Sequence, residues 1–310
     1  MKRFSILIIG LLLSVGCAAK RDSALQQDAK VLTTATRSGE LDAVLKDAMV
    51  HWEKRLNKAD LVTSLALMDQ AAASKTPGLS SEQRSEKIAE IYELQSRGYY
   101  FLADSHVRLE AQDDEKDEEM MAIFAKGLTS AEKAIALRAP EFSSKIALDE
   151  NLWKTEVSKV DPKAHAAFYW YATNLGKWAL LEGVATILAR KDDIKATMDW
   201  IVSVNGEYFY GAPYRYFGTY HTKVRIGKGN PEESKMSYEK SKQIGPTNLA
   251  TSVLMAKSYA TLVGDRALFD KLLKEVIAAD PKADPTIIPE NTLEVKKAKR
   301  LLEQADDLFY

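Results

Sequence analysis

The feature that most limits what this chain can fold into is a helical period that begins near Leu41 and runs to the C-terminus with only short breaks. Leu41, Val44, Leu45 and Ala48 recur at spacings of three and four, and Leu61, Leu65 and Met68 continue the stripe. The breaks are Gly/Pro/Ser clusters: Thr76–Glu82, where Ser80 or Ser81 can cap the next helix, then Gly227–Pro231, Gly245-Pro246, Gly264-Asp265 and Asp280–Pro289. No stretch alternates apolar and polar residues as a half-buried strand would. The expected fold class is all-α.

A second, longer period groups these helices in pairs. Pro246 and Pro281 each close a second helix and stand 35 residues apart, close to the roughly 34-residue tetratricopeptide (TPR) unit. Tyr214, Phe217 and Gly218 hold the spacing of its first helix. Ser234, Tyr238, Ser241 and Pro246 hold that of its second. The next unit keeps only Tyr259 and Pro281, and Ala134 with Pro140 hints at another in the first half. The architecture expected is a TPR-like solenoid of helical hairpins, which bury their faces by stacking.

Three function classes are disfavoured early. At a net charge of −1 nothing steers a polyanion, so no nucleic-acid partner is expected. One cysteine, Cys17, permits neither a disulfide framework nor a cysteine zinc site. The four histidines, His51, His106, His165 and His221, are scattered, and no phosphate loop, zincin or nucleophile-elbow motif occurs. The acidic run Asp113–Glu119 lacks the glycine and spacing of a calcium loop and suits a helix start instead. Carboxylates are expected on polar faces, with no acid/base pair. The expectation is a chain that is not an enzyme, with no cofactor and no metal.

The N-terminus points to a compartment. Lys2 and Arg3 precede the apolar run Phe4–Leu13, too short for a bilayer needing about 20 residues and shaped like a secretory signal. Ser14-Val15-Gly16-Cys17 resembles the lipobox of bacterial lipoproteins, with Cys17 as the lipid attachment site. The organisation expected is a signal peptide over 1–16, a lipidated N-terminus and tether over 17–40, and a TPR-like helical domain over 41–310. Ala18 after the cysteine favours the outer membrane, facing the periplasm.

Two aromatic segments are the candidate site. His165–Ala189 reads as one long apolar helix, central and buried on most sides, with Gly176 allowing a close crossing. A shorter helix over about Asp192–Val204 leads to Tyr208–Lys223, where seven of sixteen residues are aromatic and Arg215 is the one arginine. Gly211-Ala212-Pro213 reads as a turn with proline opening a helix. These rings can serve as helix packing or as a pocket. In the pocket reading Tyr208, Tyr210, Tyr214, Arg215 and Tyr216 face Tyr169, Trp170 and Trp178, with Arg215 as the anion partner. In the packing reading Arg215 binds helix-end carbonyls or an acid.

The lipobox, FYWYATNLGKW at Phe168–Trp178, GAPYRYFG at Gly211–Gly218 and KAKRLLE at Lys297–Glu303 together resemble the T component of TRAP (tripartite ATP-independent periplasmic) transporters. The resemblance runs from about Leu41 to the C-terminus. It implies a periplasmic helical-repeat lipoprotein that pairs with a TRAP solute-binding protein, holds a small, partly apolar ligand, and forms a trimer-like homo-oligomer. The alternative is an outer-membrane TPR lipoprotein adaptor that scaffolds an assembly or secretion complex.

Overall fold

The computed structural model describes residues 23–111, 115–223 and 230–309. It is 83% helical, and among the described residues a lone bridge between Glu40 and Lys75 stands in place of any strand. The fold is all-α. The signal segment 1–16, Cys17, Asp113, Asp114 and Gly227–Gly229 lie outside the described residues.

Two helices, α1 (Leu41–Glu53) and α2 (Lys58–Ala72), form the first pair, joined where Ser64 donates to the Ala48 carbonyl at 2.8 Å. Helix α3 (Ser81–Phe101) opens on a capping box in which Ser80 and Gln83 satisfy each other's backbone N–H groups. It runs on through a π turn at Leu102–Val107 and a last turn at Arg108–Glu110. Helix α4 (Asp117–Arg138) begins with Asp117, Glu118 and Glu119 at the positive end of its dipole. A shorter helix, α5 (Pro140–Leu148), follows.

The centre is α6 (His165–Glu182), packed on α3, α4 and α7 (Val184–Asn205). Phe168, Tyr169, Trp170 and Tyr171 are all buried, so the helix is covered on most sides as its composition implies. It stops sooner than expected: Gly183, at φ 137°, ends it, and the apolar residues beyond belong to α7. Gly176 makes only an ordinary contact with Ile194, so it is not the close crossing. That role falls to Gly127, against Asn174, and to Gly98, where a Cβ would come within 2.7 Å of Leu65.

Residues 23–34, expected within the tether, dock instead. Ser23 and the Ala24 N–H both donate to the Glu132 carboxylate, at 3.1 and 2.9 Å, and Ala24, Leu25 and Leu32 are buried.

The second half is a run of paired helices. Helix α8 (Tyr208–Lys223) packs on α9 (Pro231–Ile244), and Gly218 lies so close to Tyr238 that a Cβ would meet its ring at 2.7 Å. Ser234 donates to the Gly218 carbonyl at 2.7 Å. The sequence spacing of Gly218, Ser234 and Tyr238 is thus one physical contact. Helix α10 (Ala250–Leu254) continues through a second π turn, Met255–Ala260, to Val263, and α11 (Arg266–Ala278) starts at the cap Asp265. Within the expected loop Asp280–Pro289, Pro285–Ile287 forms a 3₁₀ turn that leads directly into α12 (Ile288–Glu303).

That last helix returns to the first half. Glu290 pairs with Arg55 at 3.0 Å, and Lys297 with Asp104 at 3.0 Å. The hairpins therefore close on themselves, with α3, α6, α8, α10 and α12 turned inward around a cavity.

Candidate ligand cavity

The cavity has a volume of about 510 Å³, within the range of small-molecule sites. One wall is aromatic: Tyr100, Tyr169, Trp170 and Phe209 line it. Eight basic and three acidic side chains also line it, in a chain whose net charge is −1. Positive charge is concentrated here.

These charges stand on two levels. Arg97, Trp170 and Glu290 each precede Asp104, Lys177 and Lys297 by seven residues, two turns or about 10 Å along a helix. Because the paired levels match, α3, α6 and α12 run in the same sense. At the lower level Glu290 accepts from Arg97 at 2.7 Å and from Arg55 at 3.0 Å. Burial alone would raise the Glu290 carboxyl, yet the two arginines hold it below its ordinary value. Arg97 stacks over Phe209 (4.7 Å) and Trp52 (5.3 Å), with its Nε left without an acceptor.

At the upper level Asp104 accepts from Lys177 at 2.5 Å and Lys297 at 3.0 Å, and Lys297 also donates to Glu294 at 2.7 Å. Here too burial opposes ionisation, and the two lysines override it to hold Asp104 well below the usual carboxylate range. Beside them stands Lys257, which has no ion-pair partner among the described residues. It is open to the cavity but crowded by protein. Its ammonium is pushed down to about 8, first by burial and then by Lys177, with Arg108 and Lys297 adding and Asp104 opposing. Asp104 and Lys257 both sit on the π turns, a helix form that is rare and frequent at functional sites.

Arg215 lines the cavity but its guanidinium is engaged with the backbone. It donates to the carbonyls of Tyr210 (3.3 Å) and Phe209 (3.5 Å) and to Thr251 (3.2 Å), and is 6% exposed. Those carbonyls belong to a left-handed turn: Phe209, Tyr210 and Gly211 have φ of 44°, 63° and 66°. Two non-glycine residues there cost roughly 1–2 kcal/mol each, so the turn depends on what holds it. Ser241 also donates to the Tyr210 carbonyl, and Gly245 packs directly on Tyr210, where no side chain would fit. The turn expected at Gly211-Ala212-Pro213 therefore starts two residues earlier.

Of the eight residues expected to form the pocket, Tyr169, Trp170 and Arg215 line the cavity. Tyr208 lies behind the wall, accepting from Trp170 Nε1 at 2.9 Å. Tyr210 reaches away to Asp284 (2.8 Å) and Thr286 (2.6 Å). Tyr214 lies against Gly206, Tyr216 against Phe217 and Tyr220, and Trp178 packs on the cluster of Ala103, Val107, Met120 and Phe124. Packing thus accounts for five of them. Carboxylates were expected on polar faces alone, yet Asp104, Glu290 and Glu294 line the cavity. Asp104, Lys177 and Lys257 had a signal: each is a lone charge inside an apolar helical run.

Fold and cavity together define an all-α protein whose helices surround a half-open, cation-rich cavity. The family model described as TAtT, TRAP transporter T-component, matches residues 83–309, and the chain belongs to that family. It is thus an accessory component of a TRAP transport system, in a family of transport function. Among the described residues no helix is long and apolar enough to cross a membrane. Membership of the family fits a periplasmic or membrane-associated place. The comparison with curated proteins returned no match.

Proposed function

We propose that this chain is a periplasm-facing lipoprotein, held at the outer membrane by acyl chains on Cys17, that docks a TRAP solute-binding protein. In this reading residues 1–16 are a removed signal peptide, and hairpins α8–α9 and α10–α11 are TPR-like units. The cavity holds a small, partly apolar anionic ligand, and the protein is not an enzyme. A trimer-like homo-oligomer completes the assembly.

The observation that carries the ligand reading is the coincidence in one cavity of an aromatic wall and a surplus of cations. Tyr169 and Trp170 supply apolar contact, while Arg215 sets the shape of the floor through the Phe209–Gly211 turn. Tyr208 supports the wall from behind through Trp170, while Tyr210, Tyr214, Tyr216 and Trp178 pack the helices around it.

Affinity capture from the native periplasm tests the partner. Retention of a solute-binding protein, and a small anionic amphiphile in native mass spectrometry, are the expected results. Capture of an assembly or secretion complex in its place would favour the adaptor role. The anchor has its own test: an alkyne fatty acid should label the wild type and not Cys17→Ser, because the thioether needs the thiol. Equal labelling would remove the anchor.

A further inference from the structure

The sequence pointed to Arg215 as the anion's partner, but its guanidinium already holds the carbonyls of Phe209 and Tyr210. At the lower level Arg55 and Arg97 both close on Glu290, which leaves the Arg97 Nε as the one donor without an acceptor among these groups. At the upper level the balance differs. Lys177 shares Asp104 with Lys297, and Lys297 also has Glu294. Lys257 faces the same chamber with no acid of its own, and Arg108 reaches only Asp117, at 3.9 Å.

We propose that the upper level is a seat for one carboxylate, with Lys257 as its free cation and the ligand's tail lying along Tyr100, Trp170 and Phe209. The proposal rests on reading the cavity as a ligand chamber. Lys223 and Arg300 also line the cavity without an acid among the described residues, but Lys257 is the one set beside the Asp104 cluster, where its ammonium calls for a negative charge. A carboxylate placed there gains a charge-assisted hydrogen bond from an ammonium that is open to the cavity and has no acid of its own. The Tyr100 ring lies under the Lys177 ammonium at 5.7 Å and contacts Trp170 at 5.9 Å, so the aromatic surface leads directly down from the seat. Phe209 continues it, 5.3 Å from Trp170. The distance between levels, about 10 Å, suits a medium-length acyl chain.

The probe is decanoate, with decanol as its uncharged counterpart, titrated calorimetrically into the purified protein at pH 7. Decanoate should bind the wild type with measurable heat and decanol far more weakly. Lys257→Gln should weaken decanoate by about 10- to 100-fold and leave decanol unchanged, and Lys257→Arg should restore most of the loss. Independently of any variant, decanoate should slow amine-reactive labelling at Lys257 in the wild-type chain, and decanol should not. Equal binding of the two probes would overturn the carboxylate seat and leave the chamber standing. Unchanged decanoate affinity in Lys257→Gln, or no protection from labelling, would overturn it too. Binding of neither probe would overturn the seat and the ligand chamber together.

Discussion

At the lower level of the cavity Arg55 and Arg97 close on Glu290. About 10 Å above it, Lys177 and Lys297 close on Asp104 while Lys257 stands beside them without an acid. Both levels join α12 to α3 with buried ion pairs. The lower one uses arginines, whose planar forks fix a geometry, and a third, Arg215, braces the backbone next to it. The upper one uses lysines, point charges that can shift among acceptors. The difference teaches that a cavity rich in cations is not uniformly a binding surface: one level holds the fold closed and the other keeps a charge in reserve.

The largest effect should come from breaking the lower level. Glu290→Gln leaves Arg55, 3% exposed, and Arg97 without their shared carboxylate. Loss of one partner of a buried pair typically costs about 3–5 kcal/mol. Urea or thermal unfolding should show it, and an unshifted midpoint would mean the lower level is not a closure. Lys257→Met is the counterpart above, where deleting an unpaired charge should leave the midpoint at or above that of the wild type. A clear loss there would erase the distinction.

Next in size is Arg215→Met, which removes the donors from the left-handed turn. A stability loss of about 1–3 kcal/mol is expected from the carbonyls left unpaired, with decanoate affinity changed far less than in Lys257→Gln. Normal stability with lost binding would return the anion to Arg215. Gly218→Leu should cost a similar 1–3 kcal/mol by overpacking against Tyr238. An unchanged melting temperature would show that the α8–α9 contact has room.

The smallest effect is in pH. The Lys257 ammonium titrates at about 8 in the folded chain and near 10.4 when unfolded. Between those values the unfolded chain binds more protons, so this group makes stability rise with pH there and contributes no slope below about 7. Beside it Lys297 is held above its ordinary value and Asp104 below its own, so both stay charged through that window. Lys257→Gln should flatten the rise, and wild-type decanoate binding should weaken as pH passes 8. A pH-independent affinity between 7 and 9 would contradict the reserve charge.

The helical class was visible in the sequence because periodicity and Gly/Pro breaks are local signals. The Gly218–Tyr238 contact was visible as a repeat spacing. The cavity was not, because it depends on closure: Arg55 meets Glu290 across 235 residues, and Lys297 meets Asp104 across 193. Aromatic excess drew attention to Tyr208–Tyr220, where Phe209 lines the cavity and the other rings face neighbouring helices or each other. Local chemistry left two readings open for Arg215, and its partners, backbone carbonyls that the left-handed turn presents, match the packing one. The better signal was quieter, a single charge among apolar neighbours at Asp104, Lys177 and Lys257.

The two π turns have a consequence for how this chain tolerates changes of length. Each widens one helical turn by about a residue, and a residue is worth about 100° of rotation around the axis. Helices α3 and α10 therefore carry a built-in phase offset: residues before Leu102 and before Met255 face one way, and those after are turned relative to a regular helix. Deleting a single residue from either turn would restore ordinary winding and swing Asp104 or Lys257 away from the chamber while leaving the helix intact. Sequence length at these two points, more than residue identity, sets where the charges look.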